Sequence, residues 1–256
     1  MSTPRATSAW FRAWGRAALF GAAAAAAALS LSAYTPRTRA LAMRQIYFNA
    51  WHILPGFTLF AALLGLVVSQ MTISLARDYG LAQFALELVF RAVVLELVPL
   101  LTAFYVGLRS GAAIVTEVAM MRVSGELDEL FDAHIDPYER EFVPRIAAAA
   151  VSVFALTIVS CTVVMFVTYL VTYGANISGF AEYSRTAARV FGPGALAGLV
   201  VKCFVFGIVV AVIPIAAGLD ATRDPESAPS AVMGGMVRLF VTLALIQLLS
   251  LGVKYV

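Results

Sequence analysis

The chain has 256 residues, of which 61% are hydrophobic and 13% charged, with a mean hydropathy of +0.89 and a formal net charge of +3. A soluble domain carries roughly a quarter charged residues, so the composition argues against a water-soluble enzyme or a nucleic-acid-binding domain. Long apolar runs without strand-like alternation also argue against an outer-membrane barrel, and what remains is an all-α, polytopic membrane protein.

Residues 1–45 admit three readings. Arg5, Arg12 and Arg16 precede an alanine-rich run from Ala17 to Ala33, which has the layout of a cleaved signal or of an additional span. Trp10, Trp14, Ala17, Ala18 and Gly21 share one helical face and Arg12 and Arg16 another. That partition suits an amphipathic helix in the headgroup layer, and residues 1–45 are assigned to this amino-terminal interfacial region.

The second region, residues 46–256, holds five predicted membrane helices. Span one covers Trp51–Leu75, where Gly65 and Ser69 form a small-xxx-small pair that invites close approach by another helix. Gln70 is polar at membrane depth, and Arg77-Asp78-Tyr79-Gly80 reads as a turn. Span two covers Glu87–Met120. Glu87 and Arg91 stand four residues apart and can pair, whereas Glu96 lies deeper. Span three covers Phe142–Tyr173 and is followed by a polar connection, Ser178–Gly194. Span four covers Ala195–Leu219 and carries Lys202. Span five covers Ala231–Val253, with Gln247 as its main interior polar group. Cys161 and Cys203 fall inside apolar runs and read as buried small hydrophobes.

Lysine and arginine fix the orientation. Twelve lie in the amino terminus, the 109–145 connection and the 220–238 loop, against five on the other side. The excess marks the first side as cytoplasmic, so the amino terminus is expected inside.

Between Ser124 and Pro137 a short helix is predicted. Leu127, Leu130, Phe131 and Ile135 take one face, and Glu126, Asp128, Glu129 and Asp132 take the rest. Ser124 is placed as its N-cap, and Pro137 ends it after Asp136. A helix meant for the anionic cytoplasmic leaflet should be basic. This one is acidic, which favours a protein partner with a basic groove over the lipid surface.

The segment from Glu96 to Arg145 resembles the signature region of the MlaE-type permeases, subunits of lipid ABC transporters that work with MCE-domain proteins. Their pattern runs approximately ELGP, GRxGSAxxAELGxMRxTEQIDAL and DPxxxxxxPR. Glu96-Leu97, Pro99, Arg109, Gly111, Ala113, Glu117, Met121-Arg122, Glu126, Asp128, Asp136-Pro137 and Pro144-Arg145 match it. Val201-Lys202, Val205-Phe206-Gly207 and Gly218 match a fourth-span motif, and the resemblance covers roughly residues 40–254. The chain departs from the pattern at Val98, where glycine is usual, at Leu95, where many members carry arginine, and at Ser110 and Gly125. Its final span lacks the acid often found there.

The resemblance implies a homodimer in the bacterial inner membrane. A cytoplasmic ABC ATPase would dock on the 124–136 coupling helix, a periplasmic MCE-domain protein would sit opposite, a small cytoplasmic accessory subunit is allowed, and phospholipid would be the cargo. It implies no catalytic residue, metal or cofactor in this chain, with ATP and Mg²⁺ held by the partner. Glu117, Arg122, Glu126, Leu127, Asp128, Leu130, Phe131 and Asp136 are the expected coupling residues. A lipid cavity is expected at the dimer centre, lined by spans one and five, with Leu66, Gln70 and Ile73, then Leu243 and Gln247, as its residues and Glu96 and Lys202 at its wall. Glu96 and Lys202 lie roughly 12–14 Å below the outer ends of their spans at 1.5 Å per residue, a common depth that makes an ion pair possible.

Two rival classes stand beside this reading. An intramembrane enzyme would need a nucleophile and base among Ser152, Ser160, Cys161 and His52, which form no recognisable arrangement. A non-transporting scaffold would need none.

Overall fold

The structure is a computed structural model that describes residues 36–81, 84–132, 141–221 and 228–255. The residues of the interfacial-helix expectation before 36, and the Asp136-Pro137 stop, lie outside the described residues. Among those described, all regular structure is helical. Five helices are long and apolar enough to cross a membrane: Leu54–Asp78, Ala85–Ser124, Val143–Tyr173, Pro193–Leu219 and Pro229–Lys254. These are spans one to five hereafter, and the chain is a multi-pass membrane protein. The helix containing span one begins at Pro36 and runs unbroken through the 45–46 boundary.

Span three is the central post, packed against span one on one side and span four on the other. Small residues set both approaches. A methyl group at Gly65 would stand 2.8 Å from Val164, and Ser69 and Thr168 share a 3.0 Å hydrogen bond one turn on. The small-xxx-small pair in span one therefore seats span three. At the other contact, a methyl at Gly207 would stand 2.4 Å from the Ala150 Cα. Only a hydrogen allows the two backbones to touch there.

Span two is not a regular α-helix. Phe90–Leu97 and Gly107–Gly111 are π-helical. In the first, the Val98 N–H donates to the Val93 carbonyl, five residues back. Pro99 follows with no N–H to give, so the ordinary ladder is interrupted at this point in any case, and the wide turn absorbs the defect. Glu96 sits in this turn.

The outer ends are closed by local devices. Arg91 Nε donates to Glu87 Oε1 at 2.9 Å, forming the pair expected from their spacing. Gly80, with a φ of 71°, completes the turn after span one. The connection read as merely polar contains a helix, Phe180–Val190. Tyr183, Ala187 and Val190 form its inner face. The Tyr183 ring meets Phe90 and Tyr169 edge-on, each at 5.2 Å, and its hydroxyl donates to the Met165 carbonyl at 2.8 Å. Burial, with Tyr173 beside it, pushes the phenol's pKa up, so it remains a donor.

Spans one and five are the least covered, with 22% and 17% of an 18-residue apolar stretch buried in each against 61% for span two. They form the rim of the bundle.

Candidate functional site

Glu96 is the centre of the site. Its side chain is only 10% exposed, and a carboxylate at that depth is tolerated only when paired. Three donors from two other spans meet it. Lys202 Nζ, from span four, donates to Oε2. Gln247 Nε2, from span five, donates to the same oxygen at 2.8 Å, and Lys254 Nζ, a further two turns along span five, donates to Oε1 at 2.8 Å. The structure thus contains the Glu96–Lys202 pair and extends it into a clamp joining spans two, four and five. Lys254 was visible in the sequence only as a flanking charge. Its spacing of seven from Gln247 puts the two on one helix face, and that signal would have found it.

The clamp borders a cavity of about 740 Å³ between spans four and five, in the half of the bundle opposite the 126–132 helix. Apart from Glu96, Lys202, Lys254 and Ser250 the wall is apolar or glycine, including Leu199, Val201, Val205, Ile246, Leu249 and Val253. Such a space, apolar with one polar end, suits an amphiphile. The three span-one candidates are not on its wall. Leu66 and Gln70 are exposed on the outer face of span one, and Ile73 is buried in the core. Leu243 is also core, wholly buried.

At the other end of span two, Ser124 is the last helical residue, and its Oγ donates to the Met121 carbonyl at 3.2 Å. It is therefore not the cap expected from the sequence. Gly125 takes a φ of 82°, a conformation costly for any residue with a side chain, and its carbonyl accepts from the Glu129 N–H at 3.1 Å. The short helix Glu126–Asp132 starts from this glycine corner. Leu127 is buried against a cluster with Met121, Phe142, Ile146 and Ile215, while Glu126, Asp128, Glu129 and Asp132 are exposed. Leu127 therefore anchors the helix with these acidic residues outward. Of the remaining coupling candidates, Glu117 forms a 2.9 Å ion pair with Arg145 of span three, and Arg122 is exposed. The side chains of Leu130 and Phe131, and all of Asp136, lie outside the described residues.

Of the residues a covalent mechanism would use, the His52 side chain lies outside the described residues. The Ser152 and Ser160 hydroxyls are buried with no hydrogen-bond partner, so no base is positioned on either. Cys161 donates to the Val94 carbonyl at 3.4 Å, and both cysteines are buried and free. Among the described residues no group of three potential ligands could hold a metal ion.

Comparison with known proteins agrees with this architecture. Residues 42–251 match the family described as Permease MlaE. A probable ABC transporter permease protein of Rickettsia typhi is 27% identical over 79% of this chain and 78% of its own length. A protein with the same description from Synechocystis is 28% identical over 70% of each chain. The chloroplastic protein TRIGALACTOSYLDIACYLGLYCEROL 1 of Arabidopsis thaliana is 30% identical over 57% of this chain and 43% of its own length. The chain belongs to the MlaE permease family.

Proposed function

We propose that this MlaE-family permease is the membrane subunit of an ABC transporter that moves phospholipid or a similar lipid between the inner and outer membranes, and so maintains outer-membrane lipid asymmetry. The observation that carries the reading is the pairing of two features at opposite ends of one bundle. An apolar cavity ending on a charged clamp lies at one end, and an acidic helix anchored through Leu127 lies at the other. The first suits a lipid and the second a protein with a basic groove. Relatives described as ABC transporter permeases support an ATPase as that partner, and the relative named for a galactolipid supports lipid as cargo.

On this reading the chain works as a homodimer in the bacterial inner membrane, with its amino terminus in the cytoplasm. It has no cofactor of its own, and ATP with Mg²⁺ is bound by the ATPase. An MCE-domain protein receives or delivers lipid on the periplasmic side. Motion of the ATPase pair enters at Glu126–Asp132 and passes through Leu127 to Met121, Phe142 and Ile146. The Arg145–Glu117 pair ties spans two and three together there, so they move as a unit. The π turns of span two are the places where that motion can re-register the helix, and one of them carries Glu96 into or out of the clamp. Glu96, Lys202, Lys254 and Ser250 form the polar wall of the lipid site, with Gln247 bonded to Glu96, and the exposed Leu66 and Gln70 face a second copy.

The test is lipid extraction by the purified complex in liposomes carrying a fluorescent phospholipid. ATP-dependent transfer to the MCE partner is expected, abolished when the ATPase cannot hydrolyse nucleotide. Transfer that is independent of ATP, or absent with every phospholipid class, contradicts the proposal.

A further inference from the structure

Two lysines and one acid line the cavity, and the two lysines are held differently. The Lys202 side chain is 7% exposed and that of Lys254 31% exposed, although both donate to Glu96. Withdrawing Lys202 would strand a charge in the interior, which is strongly unfavourable. Withdrawing Lys254 leaves the carboxylate with Lys202 and Gln247 still bonded to Oε2. Lys254 is also in the last turn of span five, the least buried span, with Val253 beside it 88% exposed. Of the three donors it is the one that can turn to a ligand without unmaking the site.

We propose that Lys254 selects the cargo's headgroup: its ammonium exchanges Glu96 Oε1 for an anionic group at the cavity mouth, while Glu96 stays on Lys202. The chemical class is an amphiphile with a phosphate or another oxyanion at its polar end. The anion answers a strongly hydrated primary ammonium that forms charge-assisted bonds. The amphiphile answers the wall, where Leu199, Val205, Ile246 and Leu249 offer a soluble anion nothing. A zwitterionic headgroup brings its own cation to a wall that already holds two, and so gains less. This assignment rests on the lipid-transport reading and refines it.

The complex is purified into nanodiscs containing equal amounts of phosphatidylglycerol and phosphatidylethanolamine, and the lipids retained are counted by native mass spectrometry. The wild-type protein is expected to enrich phosphatidylglycerol. K254Q should lower that enrichment by about three- to tenfold, the scale of one charged contact at a partly exposed site, and K254R should preserve it. Millimolar glycerol phosphate should not displace the retained lipid. If it does, the site takes a soluble anion and the lipid assignment falls. A wild-type protein with no preference between the two lipids overturns the proposal whatever the variants do. An unchanged ratio in K254Q overturns the role of Lys254 and leaves the transport reading standing. Retention of neither lipid overturns both.

Discussion

The two acidic regions of this protein handle charge in opposite ways. Glu96 lies deep in span two, and three donors from two other helices converge on its two oxygens. Glu126, Asp128, Glu129 and Asp132 lie on a helix of about two turns and face outward, with Leu127 turned to the core. In the first region the charge is buried and holds the bundle together. In the second it lies at the surface. The difference teaches that acidity in a membrane permease has to be read with burial. A buried acid reports on helix packing and the cavity, an exposed cluster on a partner.

The contrast can be broken from its buried side first. E96A leaves two lysines facing one another across the cavity, and breaking a buried pair costs about 3–5 kcal/mol. The purified protein should lose most of its thermal stability in detergent, and E96L/K202L should recover part of it. Exchanging the charges should not restore the site. In E96K/K202E the new lysine at position 96 faces Lys254, so recovery requires K254E as well, a threefold dependence that a melting series across these variants would read. Next in size is the crossing of spans three and four. G207A forces a methyl against the Ala150 backbone and should cost about 1–3 kcal/mol, seen as a lowered melting temperature with the docking helix untouched.

The exposed side gives the converse result. Reversing Glu126 and Glu129 to lysine should leave the stability within about 0.5 kcal/mol of wild type, as exposed changes usually do. Pull-down of the ATPase should fall by about tenfold or more, since like charges would then meet across the interface. L127A should weaken the same pull-down by loosening the helix, with a loss of about 2–3 kcal/mol confined to that corner. The smallest effect expected is at Ser69. S69A removes its bond to Thr168, worth about 0.6 kcal/mol in membrane helix pairs, a shift resolvable only by a double-mutant cycle with T168A.

The sequence made the spans legible because membrane thickness forces long apolar runs, and their limits lie within a few residues of those observed. Gly65 and Ser69 announced a close helix contact, though spacing alone does not say with which helix, and only the fold identifies span three. Glu96 and Lys202 were legible as a pair because charge at depth demands a partner. Lys254 was not, because its position at the end of span five is where lysine ordinarily serves as a topology marker. The helix Phe180–Val190 was hidden by its polar composition, since only three inward residues reveal its period. Ser124 was misassigned as a cap because serine is a common one, while the αL glycine beside it decides where span two stops and the acidic helix begins. The cavity between spans four and five was not legible, because it follows a glycine-rich start to span four that includes Gly194 and Gly198, a feature with no hydropathy signal.

The central claim is that one bundle joins a lipid cavity to an ATPase through the acidic helix. Native mass spectrometry of the complex drawn from its own membrane tests it most directly. The account predicts two copies of this chain with an ATPase subunit on each and lipid retained, and loss of the ATPase alone when Glu126 and Glu129 are reversed to lysine. A wild-type complex that carries no ATPase, or one that keeps its ATPase through that reversal, would contradict it.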